Sequence, residues 1–104
     1  MNRWMNGKEK HTMHKALAHN RGDDVAVAVA EISAGEEIVV VYIDDDAERT
    51  VRAQADVPYG HKVALQPLAA GAPVTEYSTQ VGVARTNIEA GDYVHTHNVK
   101  TARW

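Results

Sequence analysis

The sequence predicts a small domain built mainly of β-strands. Its apolar residues are mostly Val and Ala, and it contains no Phe. The β-branched valine packs well on a pleated surface and favours strands. Because alanine would also suit helices, composition alone does not decide the fold class. Short apolar runs with strand periodicity and a repeated glycine-centred turn pattern favour the β assignment.

The first strong strand is predicted from Val25 to Ile32. Its valines share one face and its alanines share the other, because side chains alternate along a strand. Both faces are apolar, so we expect this strand to be covered on both sides. It follows a polar stretch, residues 20–24, whose composition is typical of a turn.

The next two strands are predicted to pair across an acidic turn. Ile38 to Ile43 is a continuous apolar run of the fully buried type. It is followed by three aspartates, residues 44–46, which we interpret as a solvated turn rather than a metal site. Arg49 to Ala55 alternates polar and apolar residues, which indicates a half-exposed strand that returns beside its predecessor.

The rest of the chain contains shorter strand candidates separated by turns. Val57 to Gly60 is predicted to be a turn, and Lys62 to Gln66 a short strand that ends before Pro67. The further strand candidates are Thr75 to Val83 and Tyr93 to Val99.

One pattern occurs three times, with the form apolar, any, Ala, Gly, any, any, β-branched. Its copies are residues 32–38, 68–74 and 88–94. A glycine can adopt positive φ without steric cost, so we expect each copy to reverse the chain just before a strand. The turn glycines are Gly35, Gly71 and Gly91. Their spacings of 36 and 20 residues are unequal, which excludes a regular solenoid.

Length and composition limit the possible functions. A chain of 104 residues fits one domain and leaves little room for a deep private active site. The net charge of −3 and the mixed charge pattern argue against a nucleic-acid partner. The absence of Cys excludes disulfides, thiolate catalysis and cysteine-ligated metals. No apolar run reaches the roughly 20 residues of a membrane helix. We therefore expect a soluble, cytoplasmic protein.

The chain divides into three parts by composition. Residues 1–13 are polar and aperiodic and are predicted to be a disordered arm, residues 14–99 form the domain, and residues 100–104 form a tail. The tail is basic and ends in Trp104. Tryptophan is enriched at interface anchors, so we expect Trp104 to dock on a partner or on a second copy of the chain.

The stretch His95-Thr96-His97-Asn98 is the sharpest candidate site. If it lies on a strand, His95 and His97 point to the same face. Two imidazoles on one side could bind a divalent metal or donate hydrogen bonds to a carboxylate. The alternative is that both are partly exposed strand histidines bonded to the backbone.

The stretch Gly60-His61-Lys62 is the second candidate site. Gly60 would allow the backbone to approach a ligand closely. His61 offers a proton acceptor near neutral pH, and Lys62 offers a cation for a carboxylate or sulfonate. The alternative is a surface turn with two solvated side chains.

From about His19 onward, the sequence resembles the SAF domain at the head of the altronate and galactarate dehydratase family. The same domain forms the small subunit of two-subunit sulfolactate sulfo-lyases. Several stretches match the family in its order and at its spacing, and together they are a specific signal. They are residues 23–28, 57–65, the turn at Gly71, 76–77 through 81–84, and 88–98.

The resemblance implies a β-clip fold, in which short strands form bent hairpins that fold back on themselves. It implies a carbon–oxygen lyase that dehydrates an acidic sugar derivative with the aid of a divalent metal, most simply iron. The metal and the main catalytic groups would lie on a large lyase partner or a further domain, so the chain is not expected to be active alone. Under this resemblance the catalytic residues and tentative metal ligands are His95 and His97, and the substrate-binding residues are Gly60, His61, Lys62 and Asn98.

The resemblance leaves several alternatives open. The family often has Lys-Tyr-Gly where this chain has Glu76-Tyr77-Ser78, which leaves the substrate undecided. The chain stops at Trp104, whereas full-size dehydratases continue into a larger catalytic domain. The alternatives are the small subunit of a sulfolactate sulfo-lyase and a non-enzymatic carbohydrate-binding or assembly module. Homo-oligomers are compatible with each of them.

Overall fold

The computed structural model describes residues 14–101, so the predicted arm and Trp104 lie outside the described part of the chain. Within that part, short strands are joined by turns and no residue is helical. The strands are β1 Ala16–Ala18, β2 Val25–Ala28, β3 Glu37–Tyr42, β4 Glu48–Arg52, β5 Lys62–Ala64, β6 Pro73–Glu76, β7 Thr79–Ala84, β8 Tyr93–Val94 and β9 Val99–Thr101. The predicted mainly β fold class is confirmed.

The strands form two sheets. The larger has the order β4-β3-β1-β2-β5-β8, and the smaller has the order β9-β7-β6. Strands β1 and β3 are parallel, and the other pairs are antiparallel. No helix in residues 14–101 has the length and apolar character needed to cross a membrane.

The three predicted glycine turns are confirmed, and the predicted turn at Val57 to Gly60 is a fourth of the same kind. The four glycines have φ between 85° and 92°: Gly35, Gly60, Gly71 and Gly91. The apolar residue three positions before each glycine forms a backbone bridge, so that the turns meet in pairs. The bridges are Ile32 with Val57 and Leu68 with Ile88. The turn at Gly60 does not match the repeated sequence pattern, because Tyr59 stands before the glycine where the other three turns have alanine.

Side chains fasten these paired turns to each other. The Asp56 carboxylate accepts a hydrogen bond from the Ala34 N–H at 2.8 Å, and the Glu31 carboxylate accepts one from the Tyr59 N–H at 3.1 Å. In the second pair, the Asn87 amide oxygen accepts a hydrogen bond from the Ala70 N–H at 2.9 Å. Polar residues that precede the bridging apolar positions thus satisfy backbone donors that a tight turn leaves unpaired.

Several of the predicted strands are wrong in extent, including Tyr93 to Val99, which is two strands, Tyr93–Val94 and Val99–Thr101. The first predicted strand ends at Ala28 rather than at Ile32, and Ile32 instead forms the isolated bridge with Val57 described above. The run from Thr75 to Val83 is not one strand but two, separated by a tight turn at residues 77–78.

Polar contacts hold this second turn in place. Tyr77 and Ser78 both adopt positive φ, at 57° and 60°. The Ser78 N–H donates to the Asp23 carboxylate at 3.3 Å, and the Asn20 amide donates to the Ser78 hydroxyl at 2.6 Å. A contact between residues more than fifty positions apart therefore fixes a turn that local periodicity does not indicate.

The acidic turn is confirmed as a solvated connection. Residues 44–46 are exposed, and β3 and β4 pair across them from Glu37 with Arg52 to Val41 with Glu48. The buried part of the run ends at Tyr42, however, and Ile43 is 50% exposed.

The buried side chains form two cores, one on each side of β5. The first core lies against the six-stranded sheet and includes Ile38, Val40, Val57, Val63 and Leu65. The second lies between the two sheets and includes Val25, Ala64, Val74, Ile88 and Val99. Since Val63 and Ala64 of β5 belong to different cores, β5 faces both.

A polar contact at the Gly35 turn predicts acid sensitivity. The Glu36 carboxylate binds the Lys15 ammonium and accepts a hydrogen bond from the Ser33 N–H at 2.9 Å. These contacts, Lys15 first, hold the pKa of Glu36 below its ordinary value of 4.5. A lowered pKa in the folded state stabilises the fold above the unfolded-state pKa, and this contribution is lost as the pH falls through the folded pKa.

We therefore expect the free energy of unfolding to decrease as the pH falls below about 4.5, with Glu36→Gln removing part of that slope. Urea unfolding at a series of pH values measures it. Lys15→Met removes the largest cause of the shift and should flatten the slope in the same range. A slope that survives both substitutions would show that the contact does not contribute.

Candidate functional site

Four aromatic side chains lie together where β5 meets β8. The ring of Tyr93 lies 5.6 Å from that of His61, 5.8 Å from that of His95 and 5.7 Å from that of His97, measured between ring centroids. The His61 and His95 rings stack at 5.4 Å with 28° between their planes. The two sequence motifs predicted as candidate sites are thus brought to one place, and Tyr93 lies at its centre.

The pairing of β5 with β8 produces this arrangement. Lys62 is opposite Val94 and Val63 is opposite Tyr93 in an antiparallel register. Because His61 precedes β5 and His95 follows β8, both flank the Lys62–Val94 pair at the same end of the two strands. Residues 34 positions apart in the sequence therefore become neighbours.

A hydrogen bond of 2.7 Å joins the Tyr93 hydroxyl to His61 Nδ1. This contact orients the imidazole and leaves Nε2 as the nitrogen that can serve a ligand. When the hydroxyl donates, Nε2 carries a proton and acts as a donor; when Nδ1 donates, Nε2 is an acceptor and can act as a base. The tautomer of His61 therefore decides whether Nε2 donates a hydrogen bond or accepts a proton.

Residues 95–98 form a tight turn, so the premise that His95 and His97 share one strand is wrong. Strand β8 ends at Val94. The His95 carbonyl accepts hydrogen bonds from the Asn98 N–H at 3.1 Å and the Val99 N–H at 2.9 Å, which closes the turn. Both histidines are exposed on it, and each ring still lies beside Tyr93. Their predicted roles as catalytic groups and metal ligands stay predictions.

Asn98 is the cause of the turn. Its side chain is buried, its Oδ1 accepts from the His95 N–H at 3.0 Å, and its Nδ2 donates to the Tyr93 carbonyl at 2.9 Å. Asparagine side chains compete with sheet hydrogen bonds in this way. Asn98 lies beneath the histidines and positions them, and its predicted contact with substrate stays a prediction.

The GHK stretch lies as predicted in and after a turn. Gly60 has φ of 85°, and its N–H donates to the Ala28 carbonyl at 2.8 Å. A cavity of about 200 Å³ opens beside it. It is lined by Gly60, His61, Lys62, Val94 and His95. Four of the six predicted site residues therefore line one cavity, while His97 and Asn98 do not.

A larger cavity of about 440 Å³ lies between the two sheets and shares Lys62 and Val94 with the smaller one. The Lys62 ammonium binds the Glu76 carboxylate at 3.2 Å, which joins β5 to β6. The wall is mainly apolar, with polar groups from β7 and β9. The valines that line it are Val25, Val74, Val81, Val94 and Val99.

The described residues do not form a complete metal site. Within residues 14–101, no three His, Asp or Glu side chains converge in a way that could hold a metal ion. His61 and His95 are stacked face to face, and His61 Nδ1 is engaged by Tyr93. A protein-bound Zn²⁺ or iron usually has at least three protein ligands, so this part of the chain does not fit a metal centre of its own.

Sequence reasoning missed two residues of the site. Tyr93 was recognised as part of a strand, and its position two residues before His95, on the same face of an extended strand, was the available signal. Glu76 was noted as a departure from the family pattern, but its pairing with Lys62 needed the contact between the sheets. No local pattern in the sequence indicates that contact.

Comparison with known proteins agrees with this architecture. Residues 14–102 match the family described as the altronate/galactarate dehydratase SAF domain. This match covers the two candidate motifs and the four glycine turns.

Proteins of two kinds are similar to the chain. It is 36% identical to the (2R)-sulfolactate sulfo-lyase subunit alpha of Chromohalobacter salexigens over 85% of this chain and 95% of that protein. The corresponding subunit of Paracoccus pantotrophus is 43% identical over 64% of this chain and all of that protein. The altronate dehydratase of Escherichia coli is 42% identical over 76% of this chain but only 15% of that protein.

Proposed function

Because the chain belongs to the altronate/galactarate dehydratase SAF domain family, we propose that it is the accessory subunit or domain of a cytoplasmic hydro-lyase that dehydrates a sugar acid. The main catalytic domain would lie on a partner. The observation that carries the proposal is the convergence of His61, Lys62 and His95 on one cavity from two distant segments. This cavity is small and open, and it combines imidazoles with a cation, which suits one wall of a site for a hydroxy acid.

Dehydration of such an acid breaks the C–H bond α to the carboxylate and the C–O bond at the β carbon, and it releases water. The enol product then becomes a keto acid. The reaction needs a base for the α proton, an acid for the leaving hydroxyl and a counter-charge for the carboxylate. His61, oriented by Tyr93, can supply a donor or an acceptor at Nε2, and Lys62 can supply the positive charge. His95 and His97 would orient substrate groups above the turn.

We also propose that a divalent metal, most simply iron, is held mainly by the partner. Such an ion would stabilise negative charge on the substrate as a Lewis acid. His95 and His97 remain the residues of this chain proposed to approach it. The described residues supply binding and proton-transfer groups, and no step of the mechanism given above depends on the ion.

The second candidate is the small subunit of a sulfolactate sulfo-lyase, in which sulfite leaves in place of hydroxide. The observation that favours it is the length of the relatives: the chain covers nearly all of two sulfo-lyase subunits and a small part of an altronate dehydratase. Both candidates share proton removal α to a carboxylate, and they differ in the leaving group and in the charge of the substrate.

The test is reconstitution of the full chain with a candidate large lyase subunit, followed by assays with altronate and (2R)-sulfolactate. We expect turnover only when both chains are present. His95→Ala and His97→Ala should each lower kcat of the complex by roughly tenfold to a thousandfold, as expected for loss of a proton-transfer or orienting group. Keto-acid formation measures the dehydration, and sulfite release measures the alternative.

Thr86→Ala, at an exposed turn position outside both cavities, is the matched control and should leave kcat unchanged. Full turnover by both histidine variants would contradict the proposed role of this site. Turnover of sulfolactate alone would replace the first candidate by the second, and turnover by the large subunit without this chain would contradict the accessory role.

A further inference from the structure

Glu76 is a buried carboxylate at the larger cavity that the proposed mechanism does not use. It is at the end of β6 in the smaller sheet, and it reaches the Lys62 ammonium of the larger sheet at 3.2 Å. The Glu76 side chain is 8% exposed, whereas that of Lys62 is 36% exposed. The carboxylate is therefore buried beneath a cation that solvent and ligands can reach.

This arrangement changes what Lys62 can offer to an anion. A buried carboxylate 3.2 Å from an ammonium offsets part of its field, because the two charges are close together. A ligand in the cavity beside Lys62 therefore meets a positive charge that Glu76 weakens but does not cancel. The ion pair also holds the ammonium at the larger cavity, since Glu76 lines that cavity and not the smaller one.

The charge of the ligand decides how strongly this matters. Coulomb energy is proportional to ligand charge. The loss of binding free energy that Glu76 causes is therefore about twice as large for a doubly charged acid as for a singly charged one. Glu76 does not line the smaller cavity, so it can change the electrostatic potential there without touching a bound ligand. A residue of this kind discriminates by charge and leaves the shape of the smaller cavity unchanged.

We propose that Glu76 is a specificity-determining residue that shifts the selectivity of this wall of the site toward singly charged hydroxy acids, because it weakens the binding of doubly charged ones more. The inference rests on the proposed function, because it takes the cavity beside His61 and Lys62 as the anion site. It names the substrate class as a monoanionic polyhydroxy acid. An acid with a second anionic group, such as a sulfonate or another carboxylate, is disfavoured by the same contact.

The test compares Glu76→Gln with the wild-type full-length chain. Gluconate serves as the singly charged probe and malate as the doubly charged probe, and binding is followed by NMR of the histidine ring protons. We expect Glu76→Gln to tighten gluconate binding roughly threefold and malate binding roughly tenfold, since the logarithm of the gain scales with ligand charge. Both gains should shrink at 0.5 M salt, where screening acts within a few ångströms.

Glu48→Gln changes the net charge equally and is the matched control. Glu48 is exposed on β4, at the opposite edge of the six-stranded sheet. With strands about 4.8 Å apart, four strand spacings from β5 exceed the Debye length at physiological salt. This variant should bind both acids as the wild type does. Thermal unfolding of Glu76→Gln checks that the fold is retained.

The outcomes separate the inference from the function on which it rests. Equal gains for the two acids, or no gain, with His61 resonances still shifting on binding, would overturn the role of Glu76 and leave the anion site intact. Binding that does not shift the His61 or His95 resonances would place the anion elsewhere and overturn both. An absence of binding to every variant would likewise contradict the anion site and the inference together.

Discussion

Replacement of Gly91 by Ala is expected to lower the free energy of unfolding by at least about 3 kcal/mol, a large fraction of the stability of a domain this size. Gly91 has φ of 92°, which L side chains rarely adopt. A Cβ at this position would lie 1.9 Å from the Arg52 carbonyl oxygen and 3.2 Å from the Gln54 backbone nitrogen. Those atoms are backbone, so the contact cannot be relieved by a side-chain rotation.

Gly71→Ala is the matched control, because Gly71 is in an equivalent turn with φ of 89° and its Cβ would meet no atom within 4 Å. It should lose only the roughly 1 to 2 kcal/mol of the left-handed backbone conformation. Denaturant unfolding measures the loss of stability in both variants. The difference between the two losses is the free energy cost of the steric clash at Gly91. Equal losses in the two proteins would show that the chain near Arg52 moves freely, which contradicts the packing described here.

The same substitution should reach the candidate site. The Gly91 N–H donates to the Ala64 carbonyl at 2.8 Å, and the Gly91 carbonyl accepts from the Gln54 N–H at 2.9 Å. Gly91 therefore anchors the chain two residues before Tyr93, the ring around which the three histidines gather. Under partly destabilising conditions, we expect the Tyr93 and His61 resonances to change before those of the acidic turn at residues 44–46.

The sequence predicted the features of the fold that depend on neighbours in the chain. The glycine turns were recognisable because each needs one residue with positive φ and an apolar residue three positions earlier. The pairing of β3 with β4 was predictable because a short polar turn forces adjacent strands together. The pairing of one turn with another, such as Ile32 with Val57, joins distant segments and has no local signature.

The candidate site shows the same division. Residues with the right chemistry were named in advance at Gly60, His61, Lys62 and His95, and the structure brings these four to one cavity. The expected strand through His95 failed because the side chain of Asn98 takes over the backbone hydrogen bonds that a strand would use. Alternation alone does not reveal such competition.

Replacement of Asp24 by Ala is the second change for which we expect a large effect, a loss of roughly 2 to 4 kcal/mol in the free energy of unfolding. Asp24 is 6% exposed and lies where the two sheets meet. Its carboxylate accepts hydrogen bonds from the Thr75 N–H at 2.7 Å and from the Gln66 amide. Removal of the carboxylate leaves the part-buried Thr75 N–H without its acceptor, which costs more than the net value of one hydrogen bond.

Asp24 also connects the fold to the charge pattern of the site, because the backbone of Asp24 donates to the Thr75 carbonyl at 2.8 Å and Thr75 is next to Glu76. The Asp24→Ala variant should therefore loosen the contact between Glu76 and Lys62 as well as lower stability. Denaturant unfolding measures the loss of stability, and the NMR shifts of the Lys62 side chain measure the loosened contact. Asp24→Asn, whose amide oxygen can still accept from Thr75, should lose only about 1 kcal/mol, and exposed Asp44→Ala should stay within about 0.5 kcal/mol of the wild type. A stable Asp24→Ala protein with unchanged Lys62 shifts would mean that apolar packing alone holds the sheets together, and the position of Glu76 would then need another cause.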